Sequence, residues 1–122
     1  MTYRKALEKM DRILEQNLLY DFYGELLTEH QQRVYEDAVY NDMSLGEIAG
    51  EQGISRQGVH DLIKRCDRIL QDYESKLHLV ERFMAAKEKI GEIEQLTAQS
   101  DTDAGERMER IRELSRSLLK EW

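Results

Sequence analysis

Proline is absent from the 122 residues, and glycine occurs only seven times. Without proline nothing forces a helix to break, and the dominance of Leu, Glu, Lys, Arg, Gln and Ala favours an all-helical protein. A single cysteine excludes an internal disulfide and fits a reducing compartment. No apolar run approaches the roughly 20 residues of a membrane span, and no signal-peptide pattern follows Met1. A cytoplasmic protein without membrane contact is therefore expected. An excess of basic charge is also missing. The formal net charge of −7 disfavours generic binding to polyanions or acidic membranes, although a local basic face can escape that average.

Catalytic signatures are missing as well. There is no glycine-rich phosphate loop and no serine or cysteine triad context, so an enzyme is the least expected class and no cofactor is implied. His30, His60 and His78 are scattered, with no second ligand at metal spacing. His60 and Cys66 fall on different helix faces, and Cys66 lies on an apolar stripe where a small core residue is the expectation. Glu92 and Glu94 stand two apart, a spacing that separates them on a helix, while Asp101 and Asp103 suit capping better than metal binding.

What is present centres on Ser44–Tyr73, SLGEIAGEQGISRQGVHDLIKRCDRILQDY. Ser44 and Glu47 form an S-x-x-E capping box for a short helix that places Leu45, Ile48 and Ala49 on one side. Gly53 stands where a helix end needs positive φ, Ile54 follows as an apolar plug, and Ser55 is an N-cap for a second helix. In that helix Val59, Leu62, Ile63, Cys66, Ile69, Leu70 and Tyr73 recur at three- and four-residue steps as a buried stripe. Ala49, Gly53, Val59 and Leu62 match the contacts that lock a helix-turn-helix. Its opposite face presents Arg56, Gln57, His60, Asp61, Lys64 and Arg68. Together with Arg65, the candidate nucleic-acid-binding set is Arg56, Gln57, His60, Lys64, Arg65 and Arg68.

The charges complicate that reading. Ser55–Tyr73 holds four basic residues against three acids (Asp61, Asp67 and Asp72), and Thr28–Tyr73 has a net charge of −4. Duplex binding depends on neutralising phosphates, so the motif is strong and its electrostatics poor for DNA.

Around the motif the chain reads as further helices. Tyr3, Leu7, Met10, Leu14, Leu18 and Phe22 make one amphipathic helix ending near Gly24, after which Leu26 and Leu27 pack at a turn. Thr28 and Gln31 form a second capping box for a helix of about a dozen residues, burying Val34, Tyr35, Ala38 and Val39. Asn41–Asp42 is a polar break. Beyond Tyr73, either Ser75 caps a new helix or the second helix of the motif runs through it. Leu77, Val80, Phe83, Met84, Ile90, Ile93 and Leu96 keep the helical period to about Gln99. Ser100–Gly105 is a turn or helix start, and Met108, Ile111, Leu114, Ser115, Leu118 and Trp122 line a last helix. In YESKLHL, Leu77 and Leu79 suggest packing against the head, a reading preferred over a ligand or RNA surface built on Lys76 and His78. Arg107, Arg110, Arg112 and Arg116 interleave with Glu106, Glu109 and Glu113, the pattern of a salt-bridged exposed face. No strand alternation follows Tyr73, so no wing is expected. The organisation is a helical head over 1–74, containing the helix-turn-helix at 44–73, and a helical tail over 75–122. Apolar stripes on the tail predict a homodimer.

Four blocks, DFYGELLT (Asp21–Thr28), SLGEIA (Ser44–Ala49), SRQGVHDLIKR (Ser55–Arg65) and YESKLHL (Tyr73–Leu79), make Leu19–Leu79 resemble the YlxM-like bacterial helix-turn-helix family. The same core is similar to the region 4 DNA-binding domain of sigma factors, which reads the −35 promoter element. The resemblance implies a regulatory or accessory part in the signal recognition particle pathway, whose genes lie beside those of family members. Implied partners are the particle's RNA or GTPase, with DNA as the alternative target of a transcriptional regulator. A third reading makes the exposed face a docking surface for a basic protein. The family carries no agreed binding residues, and Asp61 and the neutral His60 depart from the more basic reading helix of sigma factors.

Overall fold

The computed structural model describes residues 12–98 and 104–121. Among them the chain forms six α-helices and one 3-10 turn, with no strand. In order these are α1 (Arg12–Tyr23), the 3-10 turn Gly24–Leu26, α2 (Glu29–Val39), α3 (Leu45–Gln52), α4 (Arg56–Leu77), α5 (Leu79–Ala98) and α6 (Ala104–Glu121). The described residues divide into two compact units, one over residues 12–80 and the other over residues 81–98 and 104–121. Tyr3, Leu7, Met10, Asp101, Asp103 and Trp122, all named above, lie outside the described residues.

Local chemistry fixes the helix boundaries of the first unit. Thr28 Oγ1 accepts from the Gln31 N–H while the Gln31 side chain takes the Thr28 N–H, and Ser44 and Glu47 repeat the exchange at α3. Ser55 Oγ accepts from the Gly58 N–H at 2.9 Å and starts α4. Such caps stabilise a helix by about 1 kcal/mol each. Gly53 ends α3 at φ 66°, in the left-handed region that costs glycine nothing. Gly24 is needed for a different reason. A Cβ there would meet the Tyr20 ring at 2.8 Å.

Helices α2, α3 and α4 close around Val34, Ile48, Ala49 and Val59, with Ala38, Met43, Leu62 and Ile63 packed at the edge. That cluster holds the two helices of the turn together. Leu45 and Ile54 are not part of it. They are 38% and 37% exposed. Helix α1 also differs from its expected stripe. It buries Leu19 and Tyr23, one residue on from Leu18 and Phe22, and Leu14 is half exposed. The polar Gln16 explains the offset, since it occupies the inward position one turn before Leu19 and Tyr20 and hydrogen-bonds Asp67. Leu27 is buried at the following turn and Leu26 is exposed.

Helix α4 runs through Ser75 without a break. Its end is His78, at φ 56°, whose N–H bonds to the Glu74 carbonyl, and α5 begins at the next residue. Leu77, expected to pack, is 46% exposed. The inner side of α4 carries two carboxylates as well as its apolar stripe. Asp67 accepts from the Tyr35 hydroxyl at 2.6 Å and from Gln16 Nε2 at 3.1 Å, with Arg12 3.5 Å away. Glu74, two turns on, accepts from the Tyr23 hydroxyl and from the Val80 N–H at 2.9 Å, while Tyr23 Oη accepts from the Leu79 N–H. A carboxylate and a phenol thus cap α5 in place of an ordinary N-cap residue. Burial, reinforced by Glu74, pushes the Tyr23 phenol up to about 12; burial and Asp67 raise Tyr35 further. Tyr20 stacks on Tyr35 with ring centroids 5.4 Å apart, and Tyr23 on Tyr73 at 6.0 Å.

In the second unit α5 and α6 are joined by Arg110, which makes two bonds to Glu92 at 2.8 and 3.2 Å and contacts Glu113 at 3.3 Å. Lys89 Nζ donates to Ser117 Oγ at 2.7 Å. Arg112 pairs with Glu109, so the acid–base interleaving of α6 does produce ion pairs. Leu114 is buried, Ile111 and Leu118 are half-buried, and Met108 is exposed.

The buried acids make a stability prediction. Tyr35→Phe removes the hydroxyl that Asp67 accepts from and keeps the ring stack, so unfolding in urea is expected to show a loss of about 2 kcal/mol. Tyr40→Phe, whose hydroxyl bonds on the surface to Asp21, is expected to cost less than about 0.5 kcal/mol.

Candidate nucleic-acid interface

The interface begins at the Ser55 cap, which sets the first turn of α4 free of the core. From there Gln57, Asp61, Lys64 and Arg68 follow at four-, three- and four-residue steps, so they share one strip of the helix. All four are exposed, as are Arg56 and Arg65, while His60 is half-buried at the strip's edge. Among the described residues no ion pair joins Lys64, Arg65 or Arg68 to a carboxylate. Their ammonium and guanidinium groups are available to an anion.

Not every candidate plays the same part. The Arg56 guanidinium lies against Gly46 of α3, where an added Cβ would stand only 3.0–3.2 Å from its atoms. Its side chain thus lies beside the other helix of the turn. Gln57 Nε2 donates to Asp61 Oδ1 at 2.9 Å. His60 Nδ1 lies 3.7 Å from the same oxygen and has no hydrogen-bond partner.

The orientation of the acids changes the electrostatic balance inferred from composition. Asp67 is one of three acids in Ser55–Tyr73, yet it is 9% exposed and faces α1 and α2. Asp72 is paired with Lys76 at 3.1 Å. On the strip itself one carboxylate, Asp61, stands among two cations. Asp67 stands only three residues from Lys64, but its carboxylate is occupied by Tyr35 and Gln16. The strip is thus more favourable to phosphates than a residue count over the segment suggests.

Sequence reasoning placed Arg56, Gln57, His60, Lys64, Arg65 and Arg68 on one broad surface but missed the roles of Asp67 and Glu74. The signal was available. Ile63, Asp67, Leu70 and Glu74 keep the buried spacing, in a chain whose six tyrosines supply hydroxyl partners.

On the inner side of α4 a cleft of about 360 Å³ is lined by Arg12, Glu15, Gln16, Leu19, Asp67 and Gln71. Among the described residues no group of three His, Cys, Asp or Glu side chains is placed to hold a metal ion. Cys66 is fully buried, and that burial pushes its thiol up to about 11. No helix of the described residues is long and apolar enough to cross a membrane.

Residues 10–111 match the UPF0122 family, YlxM / p13 like helix-turn-helix proteins. Similar proteins include a UPF0122 protein of Acetivibrio thermocellus, 49% identical over 84 residues that cover 69% of this chain and 72% of that protein. A UPF0122 protein of Desulforamulus reducens is 42% identical over 104 residues, covering 85% and 86% respectively. One from Shouchella clausii is 42% identical over 89 residues, covering 73% and 82%.

Because the reactive thiolate is scarce and buried, Cys66 in the folded protein is expected to react with iodoacetamide at pH 8 at least about 100-fold more slowly than in urea. Mass spectrometry of the time course checks this. Equal rates in the two conditions would place the thiol outside the core.

Proposed function

Since the chain belongs to the UPF0122 family of YlxM / p13-like helix-turn-helix proteins, we propose that it is a non-enzymatic regulatory factor of the signal recognition particle pathway. It acts in the cytoplasm and contacts the particle's RNA or its GTPase through the exposed strip of α4. The observation that carries the binding surface is the division of α4 into two sides. Lys64, Arg65 and Arg68 stand exposed without carboxylate partners, while Asp67 and Glu74 are turned into the core. The pathway itself comes from the family resemblance. Exposed Ile90, Met108 and Leu119 in the tail support the further proposal that two copies associate there.

A second reading makes the protein a DNA-binding transcriptional regulator. It is favoured by the exposure of Arg56 and Gln57 in the first turn of α4, where the reading helix of a helix-turn-helix meets base edges.

Recovery of tagged protein from its own cells, with and without ribonuclease, separates these. Particle RNA together with its GTPase is the expected yield. Chromosomal fragments from discrete sites with no particle component would instead establish the second reading. Binding to whichever nucleic acid is recovered should weaken with salt, and Lys64→Ala and Arg68→Ala should each reduce the slope of log K against log salt by about 1. Association that survives all nuclease treatment, with slopes unchanged in both variants, would make the surface a protein-docking face.

A further inference from the structure

Gln57 and Asp61 occupy the head of the strip, in the first two turns of α4, and both are exposed. The 2.9 Å contact between Gln57 Nε2 and Asp61 Oδ1 fixes more than a surface pair. A carboxylate oxygen only accepts, so the nitrogen end of the amide must face Asp61 and the oxygen end must face away. One amide hydrogen is consumed. When Asp61 takes the hydrogen anti to Oε1, the syn hydrogen and Oε1 remain in one plane as a neighbouring donor and acceptor.

That pair has a specific complement among the bases. The Hoogsteen edge of adenine offers an N6–H donor beside the N7 acceptor, and a glutamine amide matches it with two bonds. Guanine offers two acceptors on the same edge and calls for two donors from an arginine or lysine, whereas the Gln57 amide offers one donor and one acceptor. Asp61 also disfavours a phosphate at this position, so the pair is suited to a base edge while Lys64 and Arg68 meet the backbone further along. Lys64 stands seven residues on from Gln57, roughly 10 Å along the axis.

We propose that Gln57 is the specificity-determining residue of this surface, reading the Hoogsteen edge of an adenine, and that Asp61 positions its amide. The inference rests on the reading of α4 as a nucleic-acid surface. The adenine is available from two sources, the major groove of duplex DNA or an unpaired RNA loop, because the major groove of an A-form duplex is too narrow for a helix.

The test uses the full chain and two randomised pools, one of duplex DNA and one of RNA hairpin loops, from which bound sequences are enriched. The enriched site should contain an adenine whose replacement by 7-deazaadenine weakens wild-type binding roughly 5- to 100-fold. Gln57→Ala should bind adenine and 7-deazaadenine sites equally while keeping the wild-type salt slope. Asp61→Asn should melt like wild type yet lose part of the discrimination, a readout that a merely structural role would not move. The pool that yields the site identifies the source of the adenine. An enriched site indifferent to 7-deazaadenine, or adenine preference that persists in Gln57→Ala, overturns the inference and leaves the binding surface standing. Failure of both pools to enrich any sequence overturns the inference, and absence of salt-dependent binding to either pool overturns the nucleic-acid surface with it.

Discussion

The interaction on which the head depends is the burial of carboxylates against tyrosine hydroxyls along the inner side of α4. Asp67 gathers α1 and α2 through Gln16 and Tyr35, and Glu74 gathers the end of α1 and the start of α5 through Tyr23 and the Val80 N–H. Apolar packing alone would hold these helices, but it is non-directional. A carboxylate with defined donors fixes rotation and register as well, because any slip leaves a buried charged group without partners. Three helices, α1, α2 and α5, are thereby referenced to α4.

The same arrangement governs the outer surface. A 22-residue helix with two acids drawn inward leaves its opposite side enriched in Gln57, Lys64, Arg65 and Arg68. The Ser55 cap and the left-handed Gly53 then set where that side begins. Interior hydrogen bonding and exterior charge are therefore two consequences of one residue pattern. The tail follows different rules, with Arg110 and Glu92 joining exposed surfaces of α5 and α6.

Much of the head was legible in the sequence because its boundaries are set by local chemistry. Two capping boxes, the Ser55 cap and the glycine turn involve residues no more than a few positions apart, and each forms as expected. Periodicity was less reliable where a polar side chain took a core position. Gln16 shifted the buried face of α1, and Asp67 and Glu74 sat within the stripe of α4 unrecognised. A charge count treats every acid as exposed, so it does not show that Asp67 and Glu74 are taken up by hydrogen bonds inside the head. Leu45, Ile54 and Leu77 failed in the opposite sense, since hydrophobicity alone does not say whether a seam has room for another side chain. A function was legible only through family resemblance, because an exposed helix face carries no chemistry as specific as a catalytic triad.

The most direct test of the account is a titration of isotopically labelled protein with its recovered nucleic acid, followed by amide and side-chain chemical shifts. The account predicts changes concentrated at Gln57, Asp61, Lys64 and Arg68, with Gln16, Tyr35 and Asp67 nearly unmoved. Changes centred on α6 or on the cleft beside Arg12 and Gln71, with the strip silent, would contradict it.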